Sequence, residues 1–170
     1  MADKIKFTKH APKPAEKAVA KKSAGSPKAK KTSARLAAVQ VLYQMSLNNQ
    51  DAQSAVREYV KHRSGFNLDG DVFVPPDEEL LEEIVMGLQK RWSDVDELVS
   101  AALAAGKKGE VETLLESILR AGAYELLAHG KIDTGIIIHD YLNVTRGFYE
   151  GPESKLVNAV LDKIAKTVRG

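Results

Sequence analysis

LLESILRAGAYELL (Leu114–Leu127), IIIHDYLNVTRGF (Ile136–Phe148) and KLVNAVLDKIA (Lys155–Ala165) follow one another with short breaks, and their reading decides the fold. Leu114, Leu115, Ile118, Leu119 and Gly122 fall on one face of a 3.6-residue helix. Leu156, Val157, Val160, Leu161, Ile164 and Val168 do the same later in the chain. Ile136-Ile137-Ile138 suits a strand by β-branching alone. Tyr141, Leu142, Thr145 and Phe148 nevertheless continue it at helical spacing, and a lone strand would have no partner. Three amphipathic helices are therefore expected, over roughly 110–129, 134–149 and 151–168. Arg120, Glu125, Asn158, Asp162 and Lys163 are polar residues set against these stripes.

Upstream, Ser33 is a good N-cap for a first helix to about residue 49, striped by Leu36, Val39, Leu42, Tyr43 and Leu47. A second helix is expected over 51–63, with Ala55, Val56, Tyr59 and Val60 as its apolar positions. Gly65, Gly70 and Pro75-Pro76 mark 64–76 as a loop. Asp77-Glu78-Glu79 opens a third helix with acids suited to its dipole, and Leu80, Leu81, Ile84, Val85, Leu88 and Trp92 form its stripe. Ser93 and Asp96 resemble a capping box that starts a fourth helix to about residue 105, before a basic turn over 106–109. The fold class is all-α, with seven helices in one domain over 32–170.

Apolar residues make up 44% of the 170, enough for an ordinary core. The absence of cysteine excludes a disulfide scaffold, a Cys–zinc site and a Cys nucleophile. No apolar run approaches the roughly 20 residues of a membrane span, and 1–31 has no apolar core of a secretory signal, so the cytoplasm is the expected location. The net charge of +2 hides an asymmetry. Residues 1–31 hold ten lysines against Asp3 and Glu16, whereas the remainder carries more acids than bases. Rich in Lys, Ala and Pro and without periodicity, 1–31 reads as a disordered tail. It is either an electrostatic arm for a polyanion or a solubilising extension.

No catalytic constellation emerges. Gly106-Lys107-Lys108 lacks the upstream glycine and the Ser/Thr of a phosphate-binding loop, and there is no G-x-S-x-G or H-E-x-x-H. His129 and His139 are ten residues apart, which suits no standard metal site. A non-enzymatic binding protein without cofactor is expected. Binding of nucleic acid needs cations for phosphates and flat or polar groups for bases. Lys28, Lys30, Lys31 and Arg35 lead into the first helix, with Tyr43 two turns beyond Arg35; Lys155, Asn158, Lys163, Lys166 and Arg169 line the last.

ARLAAVQVLY (Ala34–Tyr43), LRAGAYELL (Leu119–Leu127) and VNAVLDKIA (Val157–Ala165) together resemble the signature segments of the NusB family, in order and in spacing, over roughly 30–169. The resemblance implies a pair of three-helix bundles acting in transcription antitermination. It further implies partnership with the ribosomal protein NusE, binding of single-stranded boxA-like RNA of ribosomal RNA leaders, and entry into the RNA polymerase antitermination complex. By the same resemblance Lys30, Lys31, Arg35, Tyr43, Lys155 and Asn158 face RNA, and Glu112, Glu116 and Glu153 meet NusE. Arg120, Glu125 and Asp162 take structural roles at helix contacts. Thr32 and Ser33 stand where the family has basic residues, Leu156 where an aromatic is common, and His139-Asp140 where Asn-Glu is frequent. Two rivals are the RNA-binding domain of a ribosomal-RNA methyltransferase, for which no Gly-rich cofactor fold follows, and a purely protein-binding helical adaptor. Monomer and homodimer are both compatible with the reading.

Overall fold

Ser26 and Pro27 start the first helix. The Ser26 hydroxyl accepts from the Ala29 amide at 3.1 Å, and Pro27 occupies the first turn, where its missing N–H costs nothing. This computed structural model describes residues 25–62, 74–103 and 110–170. Helix α1 (Pro27–Asn48) ends at Asn49, whose φ of 50° is the left-handed conformation that asparagine tolerates. Six helices follow: α2 (Ala52–His62), α3 (Glu78–Lys90), α4 (Trp92–Ala102), α5 (Thr113–Ala128), α6 (Thr134–Phe148) and α7 (Glu153–Arg169). Asp77 caps α3 by accepting from the Leu80 amide, and Asp133 caps α6 by accepting from Gly135. The described residues contain seven helices and no strand, as the periodicity predicts, and Ile136-Ile137-Ile138 is helical.

Four local expectations need correction. Helix α1 begins at Pro27, so residues 27–31 are helical and not part of a structureless tail; the tail reading for 1–24 lies outside the described residues. Ser33 sits inside the helix, donating to the Val74 carbonyl at 2.6 Å and pinning the approach to α3 against α1. Trp92 does not continue the α3 stripe. The Arg91 amide turns back to the Gly87 and Leu88 carbonyls, ends α3 and leaves Trp92 as the exposed first residue of α4. No side chain caps α4, and Asp96 reaches instead to Arg120. The loop over 64–73 and the basic turn over 106–109 lie outside the described residues.

Helices α1, α2 and α3 pack mutually as one triplet, and α5, α6 and α7 as a second. Helix α4 lies against α5 and α7, and α1 bridges the triplets by packing on α5 and α6. The inner face of α1 is Ala34, Ala37 and Ala38, all fully buried, so neighbouring backbones come close. Opposite stand Leu81, Ile84 and Leu88 of α3 and Ile118 and Leu119 of α5, each contributing about 1.5–3 kcal/mol by burial. Two helical glycines allow close approaches between helices. A Cβ at Gly122 would lie 2.9 Å from both Leu161 methyls, and one at Gly87 would overlap the Tyr124 hydroxyl.

Arg169 closes the second triplet. Its guanidinium donates to the Leu126, His129 and Ile132 carbonyls at 2.6–2.8 Å and to Glu125 O at 3.3 Å, at the end of α5 and the turn into α6. Glu125 O also accepts from the His129 amide and His129 O from the Ile132 amide, so Arg169 supplements the backbone at the helix end, where a cation also suits the negative end of the dipole.

Candidate nucleic-acid interface

Arg35 is not on the surface. Its side chain is 2% exposed and lies between α5 and α6. Nε and Nη2 donate to the two oxygens of Glu125 at 2.8 and 3.0 Å, and Nη1 donates to Asp140 Oδ2 at 2.6 Å. Tyr141 Oη donates to Glu125 at 2.6 Å, Thr32 Oγ1 to Asp140 at 3.1 Å, and His129 bridges Glu125 to Glu83 with its two ring nitrogens. The expectation that Arg35 faces RNA is therefore corrected: its planar fork is consumed by two interior carboxylates, which would be left unpaired if it turned outward. Glu125 has the structural role expected of it.

The node fixes the ionisation of its members. Burial pushes the Glu125 carboxyl up, but hydrogen bonds from His129, Arg35 and Tyr141 and the Arg35 charge outweigh it and hold the group below its ordinary range. The hydrogen bond to Glu125 raises His129 against its partial burial, with the Glu125 and Glu83 charges adding. Burial, then the Glu125 charge and hydrogen bond, lift Tyr141 well above a free phenol. All three guanidinium nitrogens of Arg35 and both Glu125 oxygens are used, so the cluster is a saturated tie between helices and offers no reacting group.

Of the other expected RNA residues, Lys30, Lys31, Lys155 and Asn158 are accessible, and Tyr43 is half-buried in a separate cluster. Lys31 is exposed and Lys30 half-buried on the first turns of α1, while Lys155 and Asn158 are exposed one turn apart on α7. Helices α1 and α7 do not touch, and α6 packs against both. Its exposed residues include Ile136, His139, Asn143 and Arg146, at helical spacing opposite buried Ile137, Tyr141 and Val144. Asn143 is within 3.5 Å of both His139 and Arg146. This polar stripe belongs with the basic groups on either side. The stripe is legible in the sequence as the complement of the apolar stripe.

Tyr43, half-buried on α1, comes together with Glu112 and Glu153 around Tyr149, which follows α6. The Tyr149 hydroxyl donates to Glu112, the residue before α5. Burial raises the Tyr149 phenol, followed by the Glu112 hydrogen bond and charge, the Glu153 charge and Tyr43. Glu153 Oε2 is buried with no hydrogen-bond partner among the described residues. Glu116 stands apart from this cluster, paired with Arg120 at 3.2 Å. Arg120 also binds Asp96 at 3.0 Å, the helix-contact role expected of it. Asp162 departs from that expectation: it is exposed and, among the described residues, pairs with Lys166 along α7. Among the described residues no group of three or more His, Asp or Glu is placed to hold a metal, and no helix is long and apolar enough to cross a membrane.

The description of the NusB family matches residues 32–166. The chain belongs to the NusB family. A protein of Agrobacterium fabrum named transcription antitermination protein NusB is 41% identical over 138 residues, covering 81% of this chain and 84% of its own length. The NusB protein of the same name in Caulobacter vibrioides is 34% identical over 137 residues, covering 80% and 92%. Two solved structures share the fold. T. maritima NusB aligns with a TM-score of 0.67 at 22% identity, over 83% of this chain and 92% of its own. A crystal structure of antitermination factors NusB and NusE in complex with dsRNA aligns with a TM-score of 0.67 at 21% identity, over 80% and 96%. The NusB fold is thus the all-α arrangement derived above, and the curated relatives are antitermination factors by name.

Proposed function

We propose that the protein is a non-enzymatic transcription antitermination factor that binds boxA-like RNA together with NusE and joins the RNA polymerase antitermination complex in the cytoplasm. Membership of the NusB family, with relatives named as antitermination proteins at 34–41% identity, carries this reading. The NusB–NusE–RNA assembly named for a protein of the same fold supports the choice of partners. Lys30 and Lys31 of α1, Lys155 and Asn158 of α7, and the His139–Asn143–Arg146 stripe of α6 form the RNA surface. Lysines neutralise phosphates and make affinity fall with salt, while the amide, imidazole and guanidinium groups can pair with base edges. Tyr43, Tyr149, Glu112 and Glu153 form the NusE surface, with the free Glu153 oxygen as acceptor.

The test is binding of boxA-like and scrambled RNA, with and without NusE, over a salt series. Affinity for boxA-like RNA rises with NusE and declines as salt increases. Affinity unchanged by NusE and equal for the scrambled RNA would overturn the reading.

A further inference from the structure

Among the described residues, Trp92 is an exposed aromatic that neither the core nor the RNA surface uses. It is 44% exposed at the head of α4, and the Arg120 guanidinium carbon lies 4.6 Å from its ring centroid. Arg120 is itself held by Asp96 and Glu116, so the indole is clamped from beneath and not free to swing. Two hollows meet at Trp92. One, about 260 Å³, runs over Leu42, Met45, Leu88 and Ser117 and is mostly apolar. The other is lined by Ser93, Asp96, Glu97 and Ser100. Helix α4 carries Asp94, Asp96 and Glu97 and no base. An occupant of the pair needs one large apolar side chain beside cations; for scale, an apolar cavity of about 150 Å³ holds a benzene ring.

The chain contains such a segment. Lys4-Ile5-Lys6-Phe7 alternates cations with apolar residues, and Phe7 is the sole aromatic before Gly25. Chain length permits the contact. The groove lies toward the far end of α1, about 25 Å from Pro27 at 1.5 Å per helical residue. The linker over 8–24 reaches about 55–60 Å when extended. We propose that the Trp92 platform is the docking site of the chain's own Lys4–Phe7 segment, with Phe7 in the apolar hollow and Lys4 and Lys6 against Asp96 and Glu97. Tethering supplies the segment at about millimolar effective concentration, so a weak site is enough. Docked in this way, Lys4 and Lys6 are neutralised by the body's own acids and become available to a polyanion only on release. The proposal rests on the fold and the sequence, not on the RNA reading.

The chain has one tryptophan and no cysteine, which gives a direct test without RNA. Thr8→Cys in the full chain carries a nitroxide, and Trp92 emission is compared with that of the unlabelled Thr8→Cys chain. Docking dims emission about twofold at low salt, independently of protein concentration, as an intramolecular contact must. Emission recovers at about 1 M salt, where screening acts within about 3 Å. Phe7→Ser and, separately, Glu97→Lys restore emission in the labelled chain while far-UV helicity is unchanged. Should Glu97→Lys lower helicity, Phe7→Ser decides alone. Undimmed emission, or dimming that survives Phe7→Ser, overturns the proposal; dimming that grows with protein concentration also does, by placing the segment on a second copy.

Discussion

The node around Arg35 and the cluster around Tyr149 are built from the same groups, a tyrosine hydroxyl on a carboxylate with further charges nearby, yet they end differently. In the node each guanidinium nitrogen meets an oxygen and both Glu125 oxygens are used. In the cluster Glu112 is engaged by Tyr149, while Glu153 Oε2 is buried without a partner among the described residues. Closed polar sets hold a fold together, and open ones wait for something else. Buried polar groups cost free energy unless matched, so an unmatched one is the more informative of the two.

Removing Arg35 tests the closed set most severely. Arg35→Ala leaves Glu125 and Asp140 buried without their cation and should destabilise the fold by about 3–5 kcal/mol in urea unfolding. Stability close to wild type would show that the node is not the tie between α1, α5 and α6. Tyr141→Phe removes one hydrogen bond to a charged group and should cost about 1.5–3 kcal/mol. Titration probes the same node by degrees. Glu125 is held below 4.5, so its stabilisation is lost as pH falls from that value; His129 is raised above 6.5, so its contribution is lost as pH rises through the shifted value. Stability should be highest between about pH 4.5 and 6.5 as these two groups set it, and a melting temperature that climbs steadily from pH 6 to 8 would contradict this. In the open set, Tyr149→Phe should cost only about 0.5–1.5 kcal/mol of stability while weakening NusE binding, read by calorimetry. Smallest of all, Lys31→Ala should leave stability within about 0.5 kcal/mol. It should lower the slope of RNA affinity against salt by about one.

Helical stripes were legible because periodicity is a local property. Ile118, Leu119, Val160, Leu161 and Ile164 are buried as their spacing dictates. The role of Arg35 was not, because its partners lie 90 and 105 residues away and nothing local separates a buried arginine from the exposed Lys31 one turn before it. The start of α1 was readable in Ser26-Pro27, an N-cap followed by a first-turn proline, but the surrounding lysines gave that stretch the composition of a tail. Trp92 fitted the α3 stripe by spacing, and only the break at Arg91 turned it outward. Tyr43, Glu112 and Glu153 were named by family resemblance; that they meet at Tyr149 depends on how α1, α5 and α7 assemble.

Arg169 has a consequence in time. The Leu126 carbonyl that it binds is 43 residues earlier in the chain. A ribosome adding about 5–20 residues per second takes about 2–9 s to cover that distance. Throughout that interval the end of α5 is emerging with the Leu126 carbonyl left to water. A nascent chain stalled short of Arg169 therefore has α5 and α6 made but the final turn of α5 still fraying, and the second triplet locks only when Arg169 arrives.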